Sequence, residues 1–306
     1  MSLRCLLLAL VLSLGLAASG CSVRRLAVDA IGDGLVSGPS VYETDGDIQL
    51  VGEALPFSIK FVETLIAQSP QNLGLLLAAS RAYLLYAYAY VQYEAEQVVE
   101  HDVGRAREIG VRAHKLFIRA FDYALRGLEV DHPGFRKALA AAPEKAVATV
   151  GNPRSVADVD LLYAAAAALA GAIGTAKQDA TMLARLAEVD ALITRALALD
   201  ESWNAGALHE FATTWYAARP GIRDREKIQW HYARAVALSE GKRAGPHVAY
   251  AEGVAIADQN RKEFEASLNR ALAVDLDADP NSRLLNALAQ RRAYWLRSRT
   301  KELFLE

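Results

Sequence analysis

From residue 48 onward, apolar side chains recur at three- and four-residue steps, the spacing of one helical face. In "ALPFSIKFVETLIAQSPQN" the residues Ile59, Val62, Leu65 and Ile66 keep that step, and Ser69-Pro70 ends the helix. The stretch that follows, "LGLLLAASRAYLLYAYAYVQYEAEQVVEHD", predicts one unusually long helix. Strand signals nearly vanish, and the good helix formers Ala, Leu, Arg and Glu dominate. The expected fold class is all-α.

The helical pattern repeats. Four segments share an Arg-Ala step followed by apolar residues: "RAFDYALRGLEVDHPGF", "RALALDESWNAGALHEF", "RAVALSEGKRAGPHVAYAEGV" and "RALAVDLDADPNSRLLNALAQRRA". They begin at Arg119, Arg195, Arg234 and Arg270, spaced by 76, 39 and 36 residues, so the first interval holds about two units. A fifth segment, "ETLIAQSPQNLGLLLAASRAY", has the same helix, turn, helix form without the leading step. Helix pairs repeating at about 34 residues are the tetratricopeptide pattern. Ala120, Ala196, Ala235 and Ala271 are the small residues that would let paired helices approach closely. The intervals run long and the motifs drift. The expectation is therefore an irregular tetratricopeptide-like array of antiparallel helix pairs, an α-α superhelix, in a single domain over residues 48–306.

A different pattern opens the chain. "LLLALVLSLGLAASGCS", Leu6 to Ser22, is apolar, follows the positive charge of Arg4, and holds no charged residue from Cys5 to Gly20. That is the layout of an export signal. A spanning helix needs about 20 apolar residues, so length alone leaves an uncleaved anchor open. The small residues Ala18, Ser19 and Gly20 followed by Cys21 resemble the lipobox of bacterial lipoproteins. On that reading residues 1–20 are a signal peptide and Cys21 becomes the lipidated first residue. Each buried CH₂ contributes about 0.8 kcal/mol, so several acyl chains hold where one would not. An ordinary secretory signal is the alternative. Ser22, in place of an aspartate, favours the outer membrane, giving a periplasmic protein anchored in that membrane's inner leaflet. After Cys21, Gly32, Gly34, Gly38 and Pro39 stand among polar residues with little periodicity, and residues 21–47 are expected to be a lipidated N-terminus and flexible tether. The GxGxxxG spacing follows no clear strand and does not make a nucleotide loop.

Composition narrows the classes. The two cysteines, Cys5 and Cys21, would leave the mature body without a disulfide, and a 53% hydrophobic chain can hold together by burial instead. A formal net charge of −2 provides no basic field for nucleic acid, which is not expected as a partner. The uncharged stretch from Leu161 to Ala176, flanked by Asp160 and Lys177, reads as a buried helix and its Ala164 to Ala168 run as a close-packing surface.

Chemistry finds little footing. None of His101, His114, His132, His209, His231 and His247 forms a metal-ligand pair. "HEFAT" begins like a zinc-protease helix, but Thr213 stands where the second histidine is needed, so His209 reads as a packed or capping residue. "DLDAD", Asp275 to Asp279, begins like a calcium loop, but Pro280 replaces the turn glycine and Asn286 the closing glutamate. It reads as a helix-ending turn. No phosphate loop and no GxSxG occurs. Catalytic residues, metals and cofactors are expected to be absent, and the chain is not expected to be an enzyme.

One feature stands out. Tyr83, Tyr86, Tyr90 and Tyr93 in "RAYLLYAYAYVQYEAEQ" fall within roughly 80° of one another at about 100° per residue, while Tyr88 points elsewhere. The stripe either packs between helices, each hydroxyl finding water or a carbonyl, or lines a groove for a partner or apolar ligand.

These residues carry a resemblance. "ALPFSIKFVETLIAQSPQNLGLLLAASRAYLLYAYAYVQYEAEQ" and "YAEGVAIADQNRKEFEASLNRALAVDLDADPNSRLLNALAQRRAYWL", with "LPFSIK", "GALHEF", "LNALAQRRA" and the leader ending in Cys21, resemble the T component associated with tripartite ATP-independent periplasmic (TRAP) transporters. The resemblance spans nearly the whole mature chain. It implies a periplasm-facing lipoprotein with tetratricopeptide-like helices that binds the transporter's solute-binding protein. It also implies an aromatic pair near residues 162 to 164, where this chain has Tyr163 followed by Ala164. Two function classes follow. The first is a scaffold that docks the solute-binding protein and accepts or passes its solute. The second is an independent lipoprotein holding a solute, lipid or other apolar small molecule in a helical cavity. Self-association into a homo-oligomer stays open.

Overall fold

The computed structural model describes residues 25–38, 40–151, 157–221 and 223–305, and every regular element among them is helical. Cys5, Cys21 and the rest of the leader lie outside the described residues. In chain order the helices are α1 (25–36), α2 (Ile48–Ile66), α3 (Leu73–Tyr86), a π-helical segment (Ala87–Gln92), α4 (Tyr93–Val98), α5 (Val103–Asp131), α6 (Phe135–Ala141), α7 (Pro143–Ala148), α8 (Asp158–Thr175), α9 (Ala180–Leu183), α10 (Leu186–Leu199), α11 (Trp203–Ala218), α12 (Arg225–Leu238), α13 (Gly245–Tyr250), a second π-helical segment (Ala251–Ala255), α14 (Arg261–Leu272), a 3₁₀ turn (Pro280–Ser282), α15 (Arg283–Ser298) and α16 (Thr300–Leu303).

Local chemistry sets the boundaries. Asp47, Asn72, Asp102, Asp224 and Asn260 each accept a hydrogen bond from a backbone N–H in the first turn of α2, α3, α5, α12 and α14, satisfying donors that the helix itself leaves free. The long helix expected after Asn72 is interrupted without being broken. Its middle winds as the π segment Ala87–Gln92, then returns to α geometry in α4.

Helices successive in the chain pack as neighbours: α2 on α3, α3 on α5, α5 on α8, α8 on α10, α11 on α12, α13 on α14 and α14 on α15. The alanines of the Arg-Ala steps sit at the crossings. Ala120, Ala196 and Ala271 are 0% exposed and Ala235 is 1% exposed. Ala120 also offers its carbonyl to the Ser80 hydroxyl at 2.8 Å, fastening α3 to α5. In α8, Ala164, Ala165, Ala166 and Ala168 are fully enclosed. This helix has the length and apolarity to cross a membrane, yet its chain is buried in the core formed with α3, α5, α10 and α11.

The array closes on itself. Helix α15 returns to the amino-terminal helices and joins a core of Val51, Leu55, Ala89, Leu284 and Leu288. The Leu284 N–H donates to the Glu43 carbonyl at 3.0 Å, and Arg283 donates to the Thr44 carbonyl at 2.9 Å. The seam uses what the sequence marks as "LNALAQRRA". Asn286 accepts from the Ala244 N–H at 2.9 Å and donates to the Lys242 carbonyl at 2.8 Å. Gln290 donates to the Val274 carbonyl at 2.7 Å, Arg291 donates to the Ala89 carbonyl, and Arg292 reaches Glu96 and Glu252.

One expectation needs correction. Residues 25–36, read as part of a tether, form helix α1, whose Val28 is buried against Val62, Ile66, Leu75 and Leu76. Gly32 gains meaning in this packing, because a Cβ there would collide with Asn72 and Leu75. Residues 40–47 are likewise engaged, through Glu43 and Thr44, at the α15 seam.

Candidate functional site

The tyrosine stripe is taken up by contacts within the chain. Tyr83 is 1% exposed, stacks on Tyr123 with centroids 5.8 Å apart, donates to Glu63 at 2.7 Å and accepts from Arg119 at 3.2 Å. Tyr86 stacks on Tyr90 at 6.0 Å and accepts from Arg112 at 3.1 Å. The Tyr90 hydroxyl donates to the Ile48 carbonyl at 2.8 Å. Tyr93 meets the edge of Trp295 at 5.9 Å and lies under the Arg291 guanidinium at 4.3 Å. Tyr83 is thus core. Tyr90 and Tyr93 belong to the seam with α15, where cation–π contacts hold the arginines. Of the four, Tyr90 also lines a shallow cleft of about 420 Å³ with Ile48, Gln49, Gly52, Glu53 and Arg291.

Tyr88, off the stripe, is the ring that opens outward. It is 57% exposed. Its hydroxyl pKa nevertheless lies well above the ordinary tyrosine value, raised by surrounding protein and by Glu252, Glu96 and Glu210 against the opposing charge of Arg292. Charged side chains of α4, α11, the second π-helical segment and α15 thus lie near the hydroxyl of this exposed ring. Tyr163 on α8 shares one of these neighbours. Burial, then Glu210, pushes its hydroxyl up to about 12 against the pull of Arg243 and Arg81. Glu210 of α11 is the shared neighbour of both tyrosines.

The charged groups near Tyr88 and Tyr163 are paired with one another, and Tyr163 sits among other rings. Arg292 donates to Glu252 at 2.6 and 3.0 Å and to Glu96. Burial alone would lower the Arg292 pKa, but the two carboxylates outweigh it and keep the guanidinium charged. Arg243, 5% exposed, donates to Glu210 at 3.1 Å. Arg81 pairs with Asp160. Tyr163 packs against Trp203 at 4.9 Å and Phe211 at 6.0 Å. Two of the contributors, Tyr88 and Glu252, stand on the two π-helical segments, a local geometry that concentrates at functional sites.

Strain supports the same region. Asn204, Ala205 and Gly206 have φ of 45°, 51° and 83°, three consecutive left-handed residues at the start of α11. For an alanine this costs energy and persists only where surroundings enforce it. Arg243 enforces it by donating to the Asn204 carbonyl at 3.0 Å. Gly206 is required by its φ and by the approach of Leu238, whose Cβ would lie 2.9 Å from an added Cβ. The turn sets Trp203 against Tyr163 and starts the "GALHEF" run that carries Glu210 and Phe211.

His209 is fully buried, as its packed reading requires. Its Nδ1 lies 2.9 Å from Nδ1 of His231, so one imidazole donates and the other accepts. Burial, reinforced by His209 and Lys227, lowers the His231 pKa to about 4. Thr213, where a zinc helix would place histidine, donates its hydroxyl to the His209 carbonyl at 2.9 Å. Asp275 to Asp279 forms the expected turn, its Asp279 capping the 3₁₀ segment through the Asn281 N–H at 3.2 Å. The arrangement around Tyr88 offers carboxylates, guanidinium groups and aromatic surface for holding a solute. It contains no positioned pair of nucleophile and base among the described residues.

Sequence periodicity missed Tyr88, Tyr163, Glu210, Glu252 and Arg292 as a group. The available signal was the clustering of "GALHEF" and "LNALAQRRA" as motifs without a chemistry of their own.

The family model for the TRAP transporter T-component matches residues 44–304, from just before α2 to just past α16. A protein of Treponema pallidum (strain Nichols), described only as uncharacterized, is 31% identical over 310 residues, covering 94% of this chain and 94% of its own.

Proposed function

The chain belongs to the TRAP transporter T-component family, and on that premise we propose that it is a periplasm-facing lipoprotein that docks the transporter's solute-binding protein and accepts or passes its solute. Cys21 carries the anchor, held in the inner leaflet of the outer membrane. The protein works by binding and handing over, without catalysis. The observation that carries the reading is the exposed Tyr88 ring on the first π-helical segment, with the Arg292, Glu252 and Glu96 ion-pair cluster of three further segments near its hydroxyl. A second reading, an independent solute- or lipid-binding lipoprotein, is favoured by the Tyr163, Trp203 and Phe211 cluster, which gathers aromatic surface between α8 and α11.

The test combines capture with calorimetry. The protein is used to capture partners from periplasmic extract, with mass spectrometry to identify them. The captured solute-binding protein is then purified and titrated against wild type and a Tyr88→Ala variant. Capture of an extracytoplasmic solute-binding protein, with affinity reduced at least about tenfold by Tyr88→Ala, supports the scaffold reading; about 1.4 kcal/mol separates the two. An apolar molecule copurifying at one per chain, with no protein partner, supports the second.

A further inference from the structure

Helix α1 presents a bare apolar face. At 100° per residue, Val28 and Gly32 point into the body, and Asp29 and Asp33 lie on one flank. Both acids turn toward Asn72. Asp29 accepts from the Ser69 hydroxyl and from Asn72 at 3.3 Å, and Asp33 accepts from Asn72 at 3.4 Å. The other half of the helix, through Leu26, Ala27, Ala30, Ile31 and Leu35, carries no charge. Leu26 is 70% exposed, Ile31 46% and Leu35 45%. A helix stripped of charge over half its circumference is an interfacial element rather than a solvated spacer.

Chain length says what covers it. Cys21 precedes Arg25, the first helical residue, by four positions, and four fully extended residues reach at most about 14 Å. Whatever the path between them, acyl chains on Cys21 hold the start of α1 at the headgroup layer. We propose that α1 lies on the membrane that receives the Cys21 lipid, with Leu26, Ile31 and Leu35 in the boundary between headgroups and acyl chains. The inference rests on the lipoprotein reading of Cys21. The helix then acts as the second membrane contact beside the lipid, and it fixes the orientation of the body. Because α1 is clamped to α2 and α3 through Val28 and Asn72, that contact holds the domain against the bilayer instead of letting it swing on a tether.

The test uses the processed, lipidated protein. Cys5 and Cys21 are the chain's cysteines; Cys5 leaves with the leader and an acylated Cys21 cannot be alkylated. Ile31→Cys therefore provides one thiol for an environment-sensitive maleimide dye, and Val103→Cys provides a control. Val103 is 70% exposed and starts α5, while the α1 cluster includes Val130 at the far end of that helix, roughly 40 Å away at 1.5 Å per residue. The labelled proteins are placed in phosphatidylcholine vesicles carrying a nitroxide near the top of the acyl chain. A zwitterionic lipid separates apolar burial from charge attraction. The expected result is a blue-shifted dye at position 31, quenched about twofold or more by the nitroxide, and a dye at position 103 that does neither, because an interfacial helix buries its apolar face about 5–10 Å deep. A water-like, unquenched dye at position 31 in lipidated protein overturns the proposal. So does a blue shift that grows with protein concentration and ignores the nitroxide, which assigns the face to a second copy of the chain. If wild type itself takes the maleimide at Cys21, the anchor reading falls and this proposal with it.

Discussion

The Arg292 guanidinium pairs with the Glu96 carboxylate, 196 residues earlier in the chain. The same arginine holds Glu252 at 2.6 Å, so one cation on the last long helix ties α4 and the second π-helical segment to the closing seam. All three side chains are less than a third exposed. Removing the arginine strands the two carboxylates that share it. Arg292→Ala should therefore cost about 2–3 kcal/mol, between the values for surface and buried pairs. Glu96→Gln, which leaves Arg292 with Glu252, should cost less. Urea unfolding of both variants checks the order, and Arg292→Ala within about 0.5 kcal/mol of wild type would refute the closing role.

Tyr83 and Tyr88 should separate stability from binding. Tyr83→Ala removes a buried ring and is expected to cost roughly 3–5 kcal/mol. Tyr88→Ala removes an exposed ring and should cost under about 1 kcal/mol, while weakening capture of the solute-binding protein or solute. Thermal unfolding paired with calorimetry decides, and a Tyr88 variant that binds like wild type removes the cluster around Tyr88 from the functional account.

The left-handed turn predicts an inversion of the usual helix rule. Gly206→Ala should destabilise by roughly 1–3 kcal/mol, since its φ of 83° and Leu238 both resist a Cβ. Ala205→Gly, ordinarily a loss of about 1 kcal/mol in a helix, should be neutral or stabilising because Ala205 sits at φ 51°. A loss of a full helix-propensity penalty in Ala205→Gly would show that the strain is not there.

Acid should weaken the fold before carboxylates protonate. Burial lowers both His231 and His247 from the ordinary histidine value of 6.5 to about 4. Between those two pH values the unfolded chain binds protons that the folded chain refuses, so stability is complete above 6.5 and falls as pH drops toward 4. The loss approaches about 3 kcal/mol per histidine at the lower limit. The steepest test is the urea midpoint from pH 7 to 5, together with imidazole NMR signals, which should stay neutral across that range. A flat midpoint with histidines titrating near 6.5 contradicts the burial argument.

The anchor makes its own prediction. Mature protein should begin at Cys21, carry acyl mass and partition with membranes, and Cys21→Ala should leave it soluble or unprocessed. Intact mass spectrometry showing an unmodified cysteine at a processed terminus would exclude lipidation.

Much of the architecture was legible locally. Helix-period spacing and the Ser69-Pro70 stop depend on neighbours within a turn or two, so the all-α class and the end of α2 could be read directly. The alanines of the Arg-Ala steps read as close-packing positions, and Ala120, Ala196, Ala235 and Ala271 are enclosed. Contacts between distant residues decided the rest. Glycines made residues 25–36 look like a spacer, but packing on Leu75 and Asn72 outweighs their poor helix propensity. Counting 100° per residue singled out Tyr83, Tyr86, Tyr90 and Tyr93, yet that count assumes an unbroken α-helix, and the π turn at Ala87–Gln92 changes its phase. Which tyrosine meets solvent, and which carboxylates lie near it, was set only when α15 returned to the first helices and Arg292 paired with Glu96 and Glu252, because a periodic pattern records the face of one helix and not the helix that will cover it.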